Sequence, residues 1–306
     1  MTEAKSADRE PDRWAFGTVS SDASGIVNME IGEEADPDEV SRVQAALDLV
    51  QAFEPDSFSD EFARAAELLL GSLKAQADAG GRASAATARQ IAAATNAWLS
   101  SFSRLRADME SKEERFGNGD ATRARFRRLY REDWHYRLIH ELRNVSQHEG
   151  NAHSYIYAGA KLGEDDEHIE SYEIDVERLY AESRVRGLEG LRQLDPGNPR
   201  ADLLAAIEHV EKLHDEALMW LLFSQAEALE DAFATIVAVI RNYSKDRARL
   251  HLFRLNDLRA RERGERVNLQ LRSVEWSKLP GFALTLSLAR AHVRAAQREI
   301  RADSPT

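Results

Sequence analysis

The chain has no cysteine among its 306 residues. A disulfide scaffold, a thiolate zinc site and a cysteine nucleophile are thereby excluded. Residues 1–12 are polar and charged, without the apolar stretch that a signal peptide requires. A long hydrophobic run is missing too. The most apolar window, residues 217–240, holds Glu227, Glu230 and Asp231 in its middle. Each carboxylate at mid-depth in a bilayer would cost about 2.5–3.5 kcal/mol, so the window reads as a buried helix. The expectation is a cytoplasmic protein, most simply a bacterial one, with no membrane attachment. No G-x-S-x-G, P-loop or Rossmann glycine pattern occurs, and Gly117-Asn118-Gly119 reads as a turn.

What is present is apolar content and unevenly placed charge. With 43% hydrophobic residues the chain can bury a sizeable core, and its length suits two domains or one large one. The 41 Lys+Arg against 53 Asp+Glu give a net charge of −12. That balance argues against binding nucleic acid or anionic lipid with the whole surface, though not against a local basic site. Two stretches run against the average. Residues 121–137 carry six arginines (Arg123, Arg125, Arg127, Arg128, Arg131, Arg137) against Glu132 and Asp133. Residues 241–272 carry ten basic residues against Asp246, Asp257, Glu262 and Glu265. Between them lies an acid-rich stretch with eight carboxylates from Glu164 to Glu177, read as a charged, solvated hairpin edge.

Periodicity predicts mostly helix. A short N-terminal hairpin is expected within 14–31, inside a partly disordered extension over 1–36. Asp36-Pro37-Asp38-Glu39 has the form of a capped helix start, and further helices are expected over 59–80, 84–116, 121–148, 200–242 and 282–301. Strands are expected over 153–160, 170–176 and 267–274. Within 121–148, Phe126, Tyr130, Trp134 and Leu138 recur every four residues, which favours a core stripe over a base-stacking surface. The fold class is therefore mainly α: an antiparallel helical bundle with a small β-hairpin and a further long-helix C-terminal part. The expected division is 1–36, a helical domain over 37–160, an acidic hairpin and linker over 161–196, and a C-terminal helical region over 197–306.

Four of the nine histidines fall within 134–155: His135, His140, His148 and His153. A metal-binding helix needs two histidines at i and i+4, yet the pairs 135/140 and 148/153 are five apart, about 140° around a helix. No metal site or cofactor is expected from that spacing. Acid–base chemistry on a phosphodiester fits better. Asn144 and His148 share a helix face, Arg143 can present a planar fork to a phosphate, and histidine titrates near neutral pH.

The string Leu142-Arg143-Asn144-x-x-Gln147-His148 resembles the motif of the HEPN superfamily: an arginine, a polar residue directly after it, and a histidine after four to six intervening residues. The resemblance spans roughly residues 37–160. It implies a helical bundle with the motif near the end of a long helix, and a metal-independent endoribonuclease that cleaves single-stranded RNA. It further implies a homodimer with both motifs facing one cleft, and a bacterial toxin or antiphage defence role with a possible antitoxin or defence-system partner. Carried onto this chain, Arg143 would stabilise phosphate charge, His148 would transfer a proton and Asn144 would orient substrate or imidazole. His140, one turn earlier, is a further candidate. Arg123, Arg127, Arg128, Arg131 and Arg137 would hold RNA. The alternative from a different class is a non-catalytic helical interaction protein whose basic and acidic faces bind a partner.

Overall fold

The computed structural model describes residues 12–21, 27–54, 60–79, 84–117, 120–162, 168–194, 197–243, 250–257, 271–274 and 279–302. The protein is mostly helical, with two small antiparallel sheets. It divides into two compact units, each discontinuous in sequence: Met1–Glu54 with Gln225–Arg294, and Pro55–Ser224 with Ala295–Thr306. This division does not follow boundaries at 36, 160 and 196.

In the first unit, β1 (Trp14–Ser21) and β2 (Val27–Glu34) form the expected hairpin. They are not a loose extension: β1 also pairs with β6 (Leu250–Arg254), and β6 with β7 (Leu271–Val274), giving the order β2-β1-β6-β7. The first of these extra strands had no clear signal in the sequence. Helix α1 (Pro37–Ala52) starts as its sequence dictates, with Pro37 in the first turn and the Asp36 carboxylate accepting from Asp38 N. It packs against α9 (Ala226–Tyr243), and Val40, Val43, Ile236, Val239 and Ile240 join Phe16, Leu250 and Leu252 in one core. The last described helix is α10 (Leu279–Ala302), most of which belongs to this unit. Most of the expected basic stretch 241–272 lies outside the described residues; within it, Arg254 pairs with Asp12 and Asp257.

The second unit holds the motif. Helix α2 (Asp60–Asp78) buries Phe62, Ala66, Leu69 and Leu73 against α3 (Ala85–Phe116), which contributes Ile91, Trp98, Phe102 and Leu105. A large side chain buried this way is worth about 1.5–3 kcal/mol, so this inner face dominates the pairing. The single helix expected over 121–148 is two. α4 (Ala121–Glu132) ends and α5 (Trp134–His148) begins at Asp133, whose extended backbone lets its carboxylate accept from Tyr136 N at 2.8 Å. An aspartate competing as an N-cap interrupts a stripe that hydrophobic periodicity alone would run through. The start of α4 is capped from another helix: the Asp120 side chain makes no capping bond, and buried Glu113 from α3 accepts from Thr122 N at 2.7 Å.

After a 3₁₀ turn (Ala152–Tyr155) come β3 (Ile156–Leu162), β4 (His168–Asp175), α6 (Val176–Glu182), α7 (Leu188–Leu194), β5 (Arg200–Asp202) and α8 (Leu203–Ser224). The sheet order is β3-β4-β5, all antiparallel. Residues 163–167 of the acid-rich hairpin lie outside the described residues. Glu173, expected on a solvated edge, is buried and accepts from Tyr157 Oη at 2.9 Å and from Arg200 at 3.4 Å. The helix expected over 200–242 is interrupted at Gln225, between α8 and α9, and Leu204 near its start is exposed.

Candidate active site

Helix α5 is the central element of its unit, touching α3, α4, α7 and α8. Tyr136, Leu138, Ile139, Leu142 and Val145 are buried, which fixes the helix in rotation and leaves its last turn at the surface. His148 is the final residue of α5 and is exposed. The helix stops there because Gly150 adopts φ 72°, a left-handed conformation that favours glycine, and returns its N–H to Val145 O at 3.2 Å.

Glu149 ties a distant segment across this helix end. Its Oε1 accepts from Ser183 Oγ at 2.9 Å and from Arg184 N at 2.8 Å. The result is an open cleft of about 780 Å³, lined by Asn144 and His148 on one side and by Arg184, Val185, Arg186 and Gly187 on the other. Glu149 and Glu182 also border it. Both carboxylates have partners within the chain, Glu149 as above and Glu182 through Arg178 Nε at 2.9 Å. Arg184 and Arg186 are exposed, and neither guanidinium has a carboxylate partner among the described residues. The cleft therefore presents one imidazole, one amide and two uncommitted cations.

Comparison with protein-family models, with curated proteins and with solved structures yields no match. The reading of this site accordingly stands on its residues.

Arg143 is not among the residues lining the cleft. Five positions on a helix turn it well away from His148. It is half-buried; Nη1 lies 3.5 Å from Asn144 Oδ1, and its Nε is buried without a partner among the described residues. Burial, with Arg106 nearby, lowers its pKa from the ordinary arginine value. Asn144 is held more firmly. Its Nδ2 donates to Glu141 Oε2 at 3.0 Å and lies 3.3 Å from His140 Nδ1.

Glu141, which motif spacing did not single out, is the anchor of this arrangement. Its carboxylate is fully buried and also accepts from Tyr130 Oη at 2.6 Å. Burial works to raise its pKa, but hydrogen bonding from His140, Tyr130 and Asn144 outweighs that, and the group is held below the usual carboxylate range. Close approach of the following segment needs small residues: a Cβ on Gly187 would meet the Glu141 carboxylate, and one on Gly190 would meet the Arg137 guanidinium. Glu141→Leu is expected to cost about 2–4 kcal/mol, because Tyr130 and Asn144 would lose their acceptor. Glu141→Gln, which keeps one carbonyl oxygen, should lose less; thermal unfolding of the two variants measures the difference.

His140 faces a different opening. This second cleft, about 590 Å³, is lined by Arg106, Arg127, Tyr130, Arg131 and His140 among others. His140 sits edge-on to Tyr130, with ring centroids 4.7 Å apart. Of the five arginines expected to hold RNA, only Arg127 and Arg131 line this cleft. Arg123 faces Glu110, Glu114 and Asp120, Arg128 lies 3.9 Å from Glu132, and Arg137 reaches Gly187 O at 3.5 Å while covering the Tyr130 ring. Of the stripe expected to be core, Phe126 and Leu138 are buried, whereas Tyr130 and Trp134 are half-buried and Tyr130 lines the cleft; Tyr136, outside that stripe, is buried.

The sequence reading missed Arg184 and Arg186. A signal existed: Arg184-Val185-Arg186 is a basic pair within an acidic neighbourhood of Glu177, Glu182 and Glu189. Nothing in the sequence tied it to His148, 36 residues or more away. A metal-donor set also emerges, Asp133, His135 and His209, which joins residues from separate helices.

Proposed function

We propose that this chain is a metal-independent endoribonuclease of HEPN type that cleaves single-stranded RNA in the His148 cleft. One observation carries the reading: an exposed imidazole at the end of a long helix shares an open cleft with Asn144 and with two uncommitted guanidinia. In such a reaction the 2′-hydroxyl attacks the adjacent phosphorus and the 5′-oxygen leaves. The products are a 2′,3′-cyclic phosphate and a 5′-hydroxyl. His148 takes the proton of the attacking hydroxyl, and in a homodimer the partner's second copy of that imidazole protonates the leaving oxygen. Arg184 and Arg186 hold the phosphate and the negative charge that grows on it. Asn144, fixed through Glu141, orients the substrate. Arg143 orders Asn144 rather than touching phosphate. A bacterial toxin or antiphage defence effector, kept silent by an antitoxin or defence partner, is the biological role that goes with this reading.

The phosphate assignment is tested by binding of a non-cleavable single-stranded oligoribonucleotide across a salt series. Each phosphate contact on a single strand contributes about 0.7 to the slope of log affinity against log salt. The double variant Arg184→Ala/Arg186→Ala is expected to lower that slope by about 1.4, whereas Arg143→Ala should leave it unchanged. A slope that responds to Arg143→Ala and not to the double variant would return the phosphate role to Arg143.

A further inference from the structure

The histidines of α5 enter a second constellation, far from the cleft. His135, in the first turn of α5, and His209, on α8, bring their rings to 4.9 Å between centroids. Asp133, at the α4–α5 break, completes the set. One donor atom from each of the three lies within 4.8 Å of the others. Asp133 uses its two oxygens differently: Oδ1 accepts from Tyr136 N at 2.8 Å, and Oδ2 lies 2.7 Å from His209 Nε2. The capping bond fixes the carboxylate plane and leaves Oδ2 facing the His209 ring.

We propose that Asp133, His135 and His209 bind a divalent transition-metal ion. Around one ion with bonds of about 2.0–2.2 Å, neighbouring ligand atoms stand about 3–3.6 Å apart, so small side-chain rotations close this set. The Asp133–Tyr136 bond then serves as the outer hydrogen bond that orients a ligating carboxylate. Two imidazoles and one carboxylate suit zinc, cobalt, nickel, copper or ferrous iron, whereas calcium and magnesium prefer all-oxygen sites. The site is half-exposed, with His209 at 38% and Asp133 at 21% of side-chain surface, so water can fill the remaining coordination positions. Its ligands lie at the opposite end of α5 from His148, about 20 Å along the helix axis at 1.5 Å per residue. Metal binding here joins the α4–α5 break to α8 and does not depend on the cleft's chemistry.

Spacing along the chain could not reveal this site. His135 and His209 lie on separate helices, and the absence of an i, i+4 histidine pair excludes only a single-helix motif.

The test is calorimetric titration of the full chain, freed of metal by a chelator and carrying no histidine tag, with Zn²⁺ and separately with Co²⁺. The expected result is one ion per chain with micromolar or tighter affinity, and visible d–d absorption when Co²⁺ is added. His135→Ala and His209→Ala should each weaken binding at least about tenfold, and Asp133→Asn should weaken it while keeping a capping acceptor. His153→Ala should leave it unchanged. Circular dichroism of each variant verifies folding, and the conservative His209→Gln should weaken binding as His209→Ala does. No saturable binding by the wild-type chain would overturn the proposal, as would equal affinity in the wild type and the His135→Ala/His209→Ala double variant.

Discussion

His148→Ala is expected to lower the rate of RNA cleavage by about 10²–10⁴-fold, the range for loss of a general acid–base group. The same variant should unfold at the wild-type temperature. His148 is exposed at the end of α5, and surface substitutions of this kind stay within about 0.5 kcal/mol. Measuring kcat and KM separately sharpens the test. A proton-transfer group lowers kcat with little change in KM, whereas a group that only binds RNA raises KM. Wild-type kcat in His148→Ala would remove this residue from the chemistry.

The second large effect concerns stability and its dependence on pH. His214 of α8 is fully buried in a box of aromatic rings, with Phe62 and Phe102 centroids at 5.3 and 5.4 Å and Phe126 and Tyr136 beyond them. Neither ring nitrogen has a hydrogen-bond partner among the described residues. Burial pushes its pKa down to about 3, from 6.5 in the unfolded chain. The unfolded state therefore binds the proton more tightly. Stability is full above about pH 6.5, falls as the pH drops, and stops falling on this account below about pH 3. At 1.36 kcal/mol per unit, the loss by about pH 5 is ~2 kcal/mol. His214→Leu removes the proton-binding group and both unpaired nitrogens. Its melting temperature at about pH 5 should exceed the wild type's by several degrees, and its advantage in unfolding free energy should shrink by ~2 kcal/mol towards pH 8. An advantage that does not change with pH would mean that His214 is solvated in the folded protein.

Much of the fold was legible because it rests on local rules. The Asp36-Pro37 start, the Phe62/Leu69/Leu73 and Trp98/Phe102/Leu105 stripes and the hairpins at both sheets follow from capping, helical period and strand-forming runs. What was not legible depended on competition or on distance. Asp133 and Gln225 interrupt helices whose apolar period continues through them. Glu113 caps α4 from another helix, and Glu173 leaves the charged edge for a buried partnership with Tyr157. The site divides in the same way. Asn144 and His148 share a face at i, i+4, and the structure places both on one cleft. Arg143 and His148 are neighbours in the motif, yet helical rotation separates them. Arg184, Arg186 and Glu141 reach their positions only through the turn after α6, the glycines at 187 and 190, and the Glu149 tie. Pairing of that kind is set by tertiary packing, which no spacing rule encodes.

The proposed chemistry is tested most directly by the ends it leaves. The wild-type chain, incubated with a single-stranded oligoribonucleotide in excess chelator, should yield fragments with 2′,3′-cyclic phosphate and 5′-hydroxyl termini, and an oligonucleotide lacking the 2′-hydroxyl at every position should stay intact. Fragments with 5′-phosphate and 3′-hydroxyl ends, cleavage that stops in chelator, or no cleavage of any RNA by the wild-type chain would contradict the account.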